Sequence, residues 1–244
     1  MEQMDDETNR NRDKDGFPKT PAVPQGRPFN QLSDIADGWW NEYSNLHSSI
    51  IDDHFRFIRA TNRRCPECDD QTWDWASEAY LACPLGARVD SLPKALDDLT
   101  SDKMPFTCDK CKKQAEQRHI THYYRLPSTL CFTLQRHDSN LGRRIVFELD
   151  NFDMSRWGTA PAGASNMYEC FAIIKHVGSD MTAGHYTCFV RAPGSSSPNS
   201  WILFNDSAKP KVLYTKDIVN GQESIFEGAY ILLYRRKDAA RAGL

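Results

Sequence analysis

No stretch of this chain is apolar over the roughly 20 consecutive residues that a helix needs to cross a bilayer, so no helical membrane span is expected. The first residues hold no apolar core of the kind a secretory signal requires, and nothing in them directs export. A formal net charge of −3, with acidic and basic side chains interspersed, leaves no basic face for nucleic acid. No internal repeat is visible, so no repeat architecture is expected. No cysteine precedes Cys65. The eight cysteines of the chain, four of them in two Cys-x-x-Cys pairs, then point to metal binding in a reducing compartment, cytoplasmic or nuclear, rather than to disulfides.

With 244 residues the chain can bury a substantial core. Residues 1–30 have little to contribute to one: they are polar and charged, then punctuated by Pro18, Pro21, Pro24 and Pro28, and read as a disordered leader. Between Leu32 and Phe57, apolar and aromatic residues at mixed helical spacing predict one or two short helices, with a turn or short strand near Ile51 to Phe57. Ser91 to Leu99 reads as a helix capped by Ser91, with Leu92, Leu96 and Leu99 on one face. Leu130, Phe132 and Leu134 alternate with polar neighbours and predict a strand over Ser128 to Arg136; another is expected over Arg143 to Phe152. Met154 to Asn166 reads as an inserted loop, and residues 237–244 as a frayed polar tail.

Cys65-Pro66-Glu67-Cys68 and Cys108-Asp109-Lys110-Cys111 are the first chemical signal. Each pair places two thiolates on one tight knuckle, and two knuckles complete a tetrahedral site for a structural zinc, with no position left for water. His119 and His122 lie nearby, but four cysteines already satisfy the metal, so both are expected at the surface.

The second signal runs from Tyr168 to Asp206. A β-rich run, Tyr168 to Val177, reaches a loop containing Gly178, Asp180 and Gly184; a second run, His185 to Arg191, leads through a Gly/Ser/Pro loop to a third, Trp201 to Phe204. His185 therefore enters one strand where Asn205 and Asp206 leave its neighbour. Antiparallel strands lie about 4.8 Å apart, so either residue could accept a hydrogen bond from the ring and hold it in one tautomer. That pairing is the base and orienter of a Cys–His–Asn/Asp or Ser–His–Asp site.

The order Gly184-His185-Tyr186, Trp201, Phe204-Asn205-Asp206 and Ala229-Tyr230-Ile231-Leu232-Leu233-Tyr234 resembles the histidine box of the ubiquitin-specific proteases, the papain-like cysteine deubiquitinases. Ser49 to Phe55, the two cysteine pairs and Leu134-Gln135-Arg136-His137 also match that family's pattern, the last with its Lys and Phe replaced. The resemblance implies an α+β fold of papain-like cysteine protease type, an antiparallel palm sheet plus zinc-ribbon fingers. Fingers would occupy residues about 55–125 and the palm about 126–236 of a partial catalytic domain over 31–236. It implies His185 as general base, Asn205 as orienter, Asp206 as a further orienter or support, zinc on Cys65, Cys68, Cys108 and Cys111, and ubiquitin or ubiquitinated proteins as partners.

The family's Asn-x-Gly-Asn-Thr-Cys-Tyr box, which carries the nucleophile, has no counterpart here. Cys83, Cys131, Cys170 and Cys188 lie outside the metal set, and none has the helix N-terminus that lowers a thiol pKa and supplies oxyanion donors. The thumb subdomain is thus expected to be missing. Two functions fit best, a deubiquitinase hydrolysing bonds at the C-terminal glycine of ubiquitin, seen without its nucleophile, or a non-catalytic ubiquitin-binding scaffold; a third reading is a free-standing zinc module on Cys65, Cys68, Cys108 and Cys111 that binds another partner.

Overall fold

The computed structural model describes residues 4–5, 8–10, 16–180, 182–192, 199–221 and 224–237. A 3-10 turn at Phe29–Gln31 leads into α1 (Ser33–Leu46) and then α2 (Ile50–His54). Strands follow: β1 (Phe57–Arg64), β2 (Gln71–Glu78) and β3 (Leu81–Pro84), then helix α3 (Leu92–Thr100), β4 (Ser101–Thr107), β5 (Gln114–Tyr124) and β6 (Thr129–Gln135). After two short strands, β7 (Phe152–Asp153) and β8 (Gly158–Thr159), come β9 (Met167–Val177), β10 (His185–Arg191), β11 (Ser200–Phe204), β12 (Lys211–Tyr214), helix α4 (Thr215–Asn220) and β13 (Ala229–Arg236).

The chain divides into two compact units. The first comprises Met1–Tyr80, Asp97–Ser128 and Asp153–Asn166; the second comprises Leu81–Leu96, Thr129–Phe152 and Met167–Leu244. In the first, the sheet runs β2-β1-β5-β4, antiparallel throughout, and β8 lies parallel to β5. α1 forms because Ala36, Trp39 and Tyr43 recur three and four residues apart and bury one face. That face, with Leu32, packs on Ile58 and Ala60 of β1, Trp75 of β2 and Tyr124 of β5. Val23 and Phe29 pack against the same cluster, and the Tyr124 hydroxyl donates to Phe29 O at 2.7 Å. α2 starts at Ser49, whose hydroxyl accepts from Asp52 N.

His119 and His122, expected at the surface, are instead partly covered. His119 Nδ1 lies 3.6 Å from Asp102 Oδ1. The His122 ring, 3.0 Å from the Thr159 hydroxyl and edge-on to Tyr124, is desolvated enough that its pKa falls to about 4. The Met154–Asn166 loop explains this, because β8 lies within it and pairs beside His122.

In the second unit the strand order is β12-β11-β10-β9-β13-β6-β3, antiparallel except for the parallel β3–β6 pair. Its two faces differ. Leu203, Phe189, Ile173, Leu232, Phe132 and Leu81 are cross-strand neighbours in one row, all buried. Row partners on the opposite face, Phe204, Cys188, Ile174, Ile231, Thr133 and Ala82, are all half-buried or exposed although mostly apolar.

The strand expected over Arg143 to Phe152 is not formed. Ile145, Phe147 and Leu149 do alternate inward, but the segment makes only single bridges, Val146 to Ser91 and Arg144 to Glu227, before β7. It covers the buried face instead: the Phe152 ring meets Phe132 and Tyr234, and the Tyr234 hydroxyl donates to Glu148 O at 2.7 Å. The predicted helix at Ser91 appears as α3, although the Ser91 hydroxyl turns to Asp90 at 3.0 Å. Most of the Gly/Ser/Pro loop after Arg191, and the tail beyond Lys237, lie outside the described residues.

Candidate functional site

His185 opens β10 opposite Val177, the last residue of β9, and Asn205 and Asp206 follow directly on the end of β11. Between β9 and β10, the Asp180 carboxylate accepts from Thr182 N and Ala183 N at 3.0 and 2.7 Å, and from the Thr182 hydroxyl at 2.7 Å. These bonds, the hydroxyl's foremost, hold Asp180 below the usual carboxylate range. On the neighbouring strand, Asp206 turns the chain at φ 44°, a left-handed conformation that Asp tolerates better than most residues, and Ala208 N donates to Asn205 O at 3.0 Å.

These two turns bring three side chains together. His185 Nε2 donates to Asn205 Oδ1 at 2.5 Å, and His185 Nδ1 lies 3.3 Å from Asp206 Oδ2. Both ring nitrogens thus face oxygen acceptors. To accept a proton, one nitrogen must leave its oxygen. The Asp206 contact is the longer, and its side chain is 76% exposed, so it is the easier one to release. Asn205 then remains as the group that fixes the ring.

Among the described residues, no thiol is placed to use that ring. Cys188, three residues beyond His185 on the same strand, projects from the opposite face. Cys83, Cys131 and Cys170 are buried in β3, β6 and β9. Burial raises the pKa of Cys83, Cys170 and Cys188, and takes Cys131 up to about 11. A second histidine, His176, lies buried near the end of β9, nine residues before His185. It shares a face with Ile174, and no alternation in the sequence marks it as buried.

Cys65, Cys68, Cys108 and Cys111 do converge. The turn between β1 and β2 carries the first pair and the turn between β4 and β5 the second, and the knuckles are built alike. Cys65 O accepts from Asp69 N and Cys108 O from Lys112 N; Cys65 N donates to Asp70 O and Cys108 N to Lys113 O. Asp69 and Lys112 occupy the same left-handed position, φ 61° and 60°. All four sulfurs lie within 4.8 Å of one another, with Cys65–Cys111 at 3.8 Å and Cys68–Cys108 at 3.7 Å. Four sulfurs about 2.3 Å from a tetrahedral ion would be about 3.8 Å apart, so the donor set fits a thiolate-bound metal.

The amide of Cys111 donates toward Cys108 and lowers that thiol to about 7. Cys68 moves to about 12: the Asp70 amide opposes the rise, but desolvation and hydrogen bonds with the other three cysteines outweigh it. Lys110 bridges to Asp70 at 3.2 Å and Lys113 to Glu67 at 2.9 Å, so two lysines of the second knuckle grip the first.

The family model described as "Ubiquitin carboxyl-terminal hydrolase" matches residues 1–234. The chain is 29% identical over 197 residues to ubiquitin carboxyl-terminal hydrolase cyk-3 of Caenorhabditis elegans, covering 75% of this chain and 15% of that protein. It is 28% identical over 222 residues to ubiquitin carboxyl-terminal hydrolase 21 of Arabidopsis thaliana, covering 86% and 27%. In fold it is similar to a chain of the yeast SAGA DUBm solved with a mutant Sgf73, with a TM-score of 0.65 at 20% identity over 86% of this chain and 46% of that one. The chain therefore spans under a third of these relatives and under half of that solved chain. By its match over nearly its whole length, the chain belongs to the ubiquitin carboxyl-terminal hydrolase family, as a domain of the ubiquitin-specific protease type.

Proposed function

We propose that this chain is the base-bearing part of a thiol deubiquitinase, acting on isopeptide or peptide bonds at the C-terminal glycine of ubiquitin. The observation that carries the reading is the His185–Asn205–Asp206 contact at one end of the second unit's sheet. His185 would take the proton of a cysteine supplied from outside this sequence while Asn205 keeps the ring aligned. The thiolate attacks the carbonyl carbon, and the imidazolium returns its proton to the leaving amine. Asn suffices as orienter because a thiolate–imidazolium pair needs alignment of the ring more than a second negative charge. Zinc at the four cysteines would be structural, binding the finger tips together and supplying no reaction step.

A second reading, a non-catalytic ubiquitin-binding scaffold, is favoured by one fact: among the described residues, no cysteine reaches His185. Both readings predict that the isolated chain leaves a fluorogenic ubiquitin amide uncleaved and is not labelled by a thiol-directed ubiquitin probe. Turnover lost on changing Cys83, Cys131, Cys170 or Cys188 to Ser would contradict both.

A further inference from the structure

His185 is held on both sides by a residue that its own motif does not include. The His176 side chain lies at the end of β9, 5% exposed, with its backbone N–H donating to Gly228 O at 2.8 Å. Its ring occupies the space a side chain at Gly184 would need: a Cβ there would fall 2.0 Å from His176 Nε2 and 2.6 Å from Cε1. A Cβ at Gly178, the other end of the loop, would lie 2.9 Å from the same Cε1. Across the strand pair, His176 is the register partner of Tyr186, and the two rings meet at 61° with centroids 5.0 Å apart. Tyr186 in turn contacts Tyr230 at 6.0 Å.

The imidazole therefore touches the residue before His185 and the residue after it. Gly184 lies against its Nε2 and Cε1 and the Tyr186 ring meets it at 61°, so the backbone that carries His185 is packed against a buried ring. We infer that His176 is a positioning residue: its buried ring sets where His185 enters β10, and hence the reach of His185 to Asn205. This inference rests on the reading of His185 as the functional base, but its geometry belongs to this chain alone.

The contact also explains why Gly184 is a glycine, although its φ is not in the left-handed region. The constraint is close approach to a ring, not backbone conformation. A ring and a missing side chain that fill one another's space should show strong coupling when both are changed. An alanine at Gly184 pushes on the ring; removing the ring makes room for it.

The test uses the whole chain and reads His185 directly, by the rate at which diethyl pyrocarbonate modifies it and by its side-chain nitrogen signals. Gly184→Ala is expected to move those signals and to speed modification by roughly twofold or more, the low end of the coupling between residues in contact. Gly86→Ala, placed where an added Cβ meets nothing within 4 Å, is the control and should leave both unchanged. His176→Ala alone should speed modification as well, and His176→Phe, which keeps a ring against Tyr186, should stay nearer the unmodified chain. In the double change His176→Ala with Gly184→Ala, the two effects should partly cancel. Effects that simply add, or a Gly184→Ala chain that behaves like the control, would overturn the inference. If Gly184→Ala does not fold, His176→Ala decides: an unchanged rate at His185 overturns the inference. Turnover enters none of these readouts, so a failure of the catalytic reading would leave their outcome distinct.

Discussion

At the scale of single residues, burial moves several side chains far from their ordinary titration. His122 is the clearest. Its pKa of about 4 lies below the ordinary histidine value because the β8 loop and Tyr124 desolvate the ring. The folded chain therefore favours the neutral form. That contribution is fully present above the unfolded pKa of about 6.5 and is lost as pH falls through about 4, a change on the order of 3 kcal/mol. His122→Phe removes the titration while keeping an aromatic ring beside Phe29 and Tyr124. Denaturation followed by tryptophan fluorescence should show the original chain losing stability relative to His122→Phe between pH 6.5 and 4. Parallel curves would show that the ring is not desolvated in solution. The contacts of His185 are set by position: Asn205 and Asp206 follow the end of the neighbouring strand, so its reach to them depends on where the backbone places it.

At the scale of elements, the first unit carries two long hairpins, β1–β2 and β4–β5, whose tips hold two cysteines each. The cross-knuckle ion pairs are exposed and worth little by themselves, so a metal held by the four cysteines would be the main link between the tips beyond the β1–β5 ladder. Purified chain is expected to hold close to one equivalent of zinc after dialysis, and a strong chelator should raise hydrogen exchange at the tips of β1–β2 and β4–β5. Exchange in the second unit's sheet should be unaffected. Full zinc occupancy in a Cys65→Ser, Cys111→Ser double variant would rule the site out.

These elements were legible in the sequence to different degrees. The cysteine pairs and the His185 hairpin announce themselves because chemistry fixes residue type and spacing together. α1 and β6 follow from periodicity, since each buries one face. β4 left no such trace: nearly every residue from Ser101 to Thr107 is exposed, so no alternation marks it. β2 was hidden for a related reason, its residues being mostly half-buried with Trp75 alone deeply covered. Arg143 to Phe152 misled in the opposite direction. It alternates because it lies over a buried face, and alternation reports burial, not a hydrogen-bond ladder. His176 was invisible as a positioning residue because its partner is the absent side chain of Gly184.

At the scale of the whole chain, one asymmetry stands out. The second unit's sheet has one buried face and one only partly covered, and His185, four residues before Phe189 on β10, sits at one end in the register of the buried face. If His185 is the base of a thiol hydrolase, a layer from outside this sequence must bring the nucleophilic thiol to it. The measurement that tests this most directly joins the chain to the cysteine-bearing lobe of a related hydrolase and follows cleavage of a fluorogenic ubiquitin amide. Turnover by the joined protein is expected, with a loss of at least about 100-fold in His185→Ala and a smaller loss in Asn205→Ala, because removing the base costs the proton transfer itself. Turnover indifferent to His185, or a joined protein that folds, binds ubiquitin and cleaves nothing, would contradict the role of His185 as base.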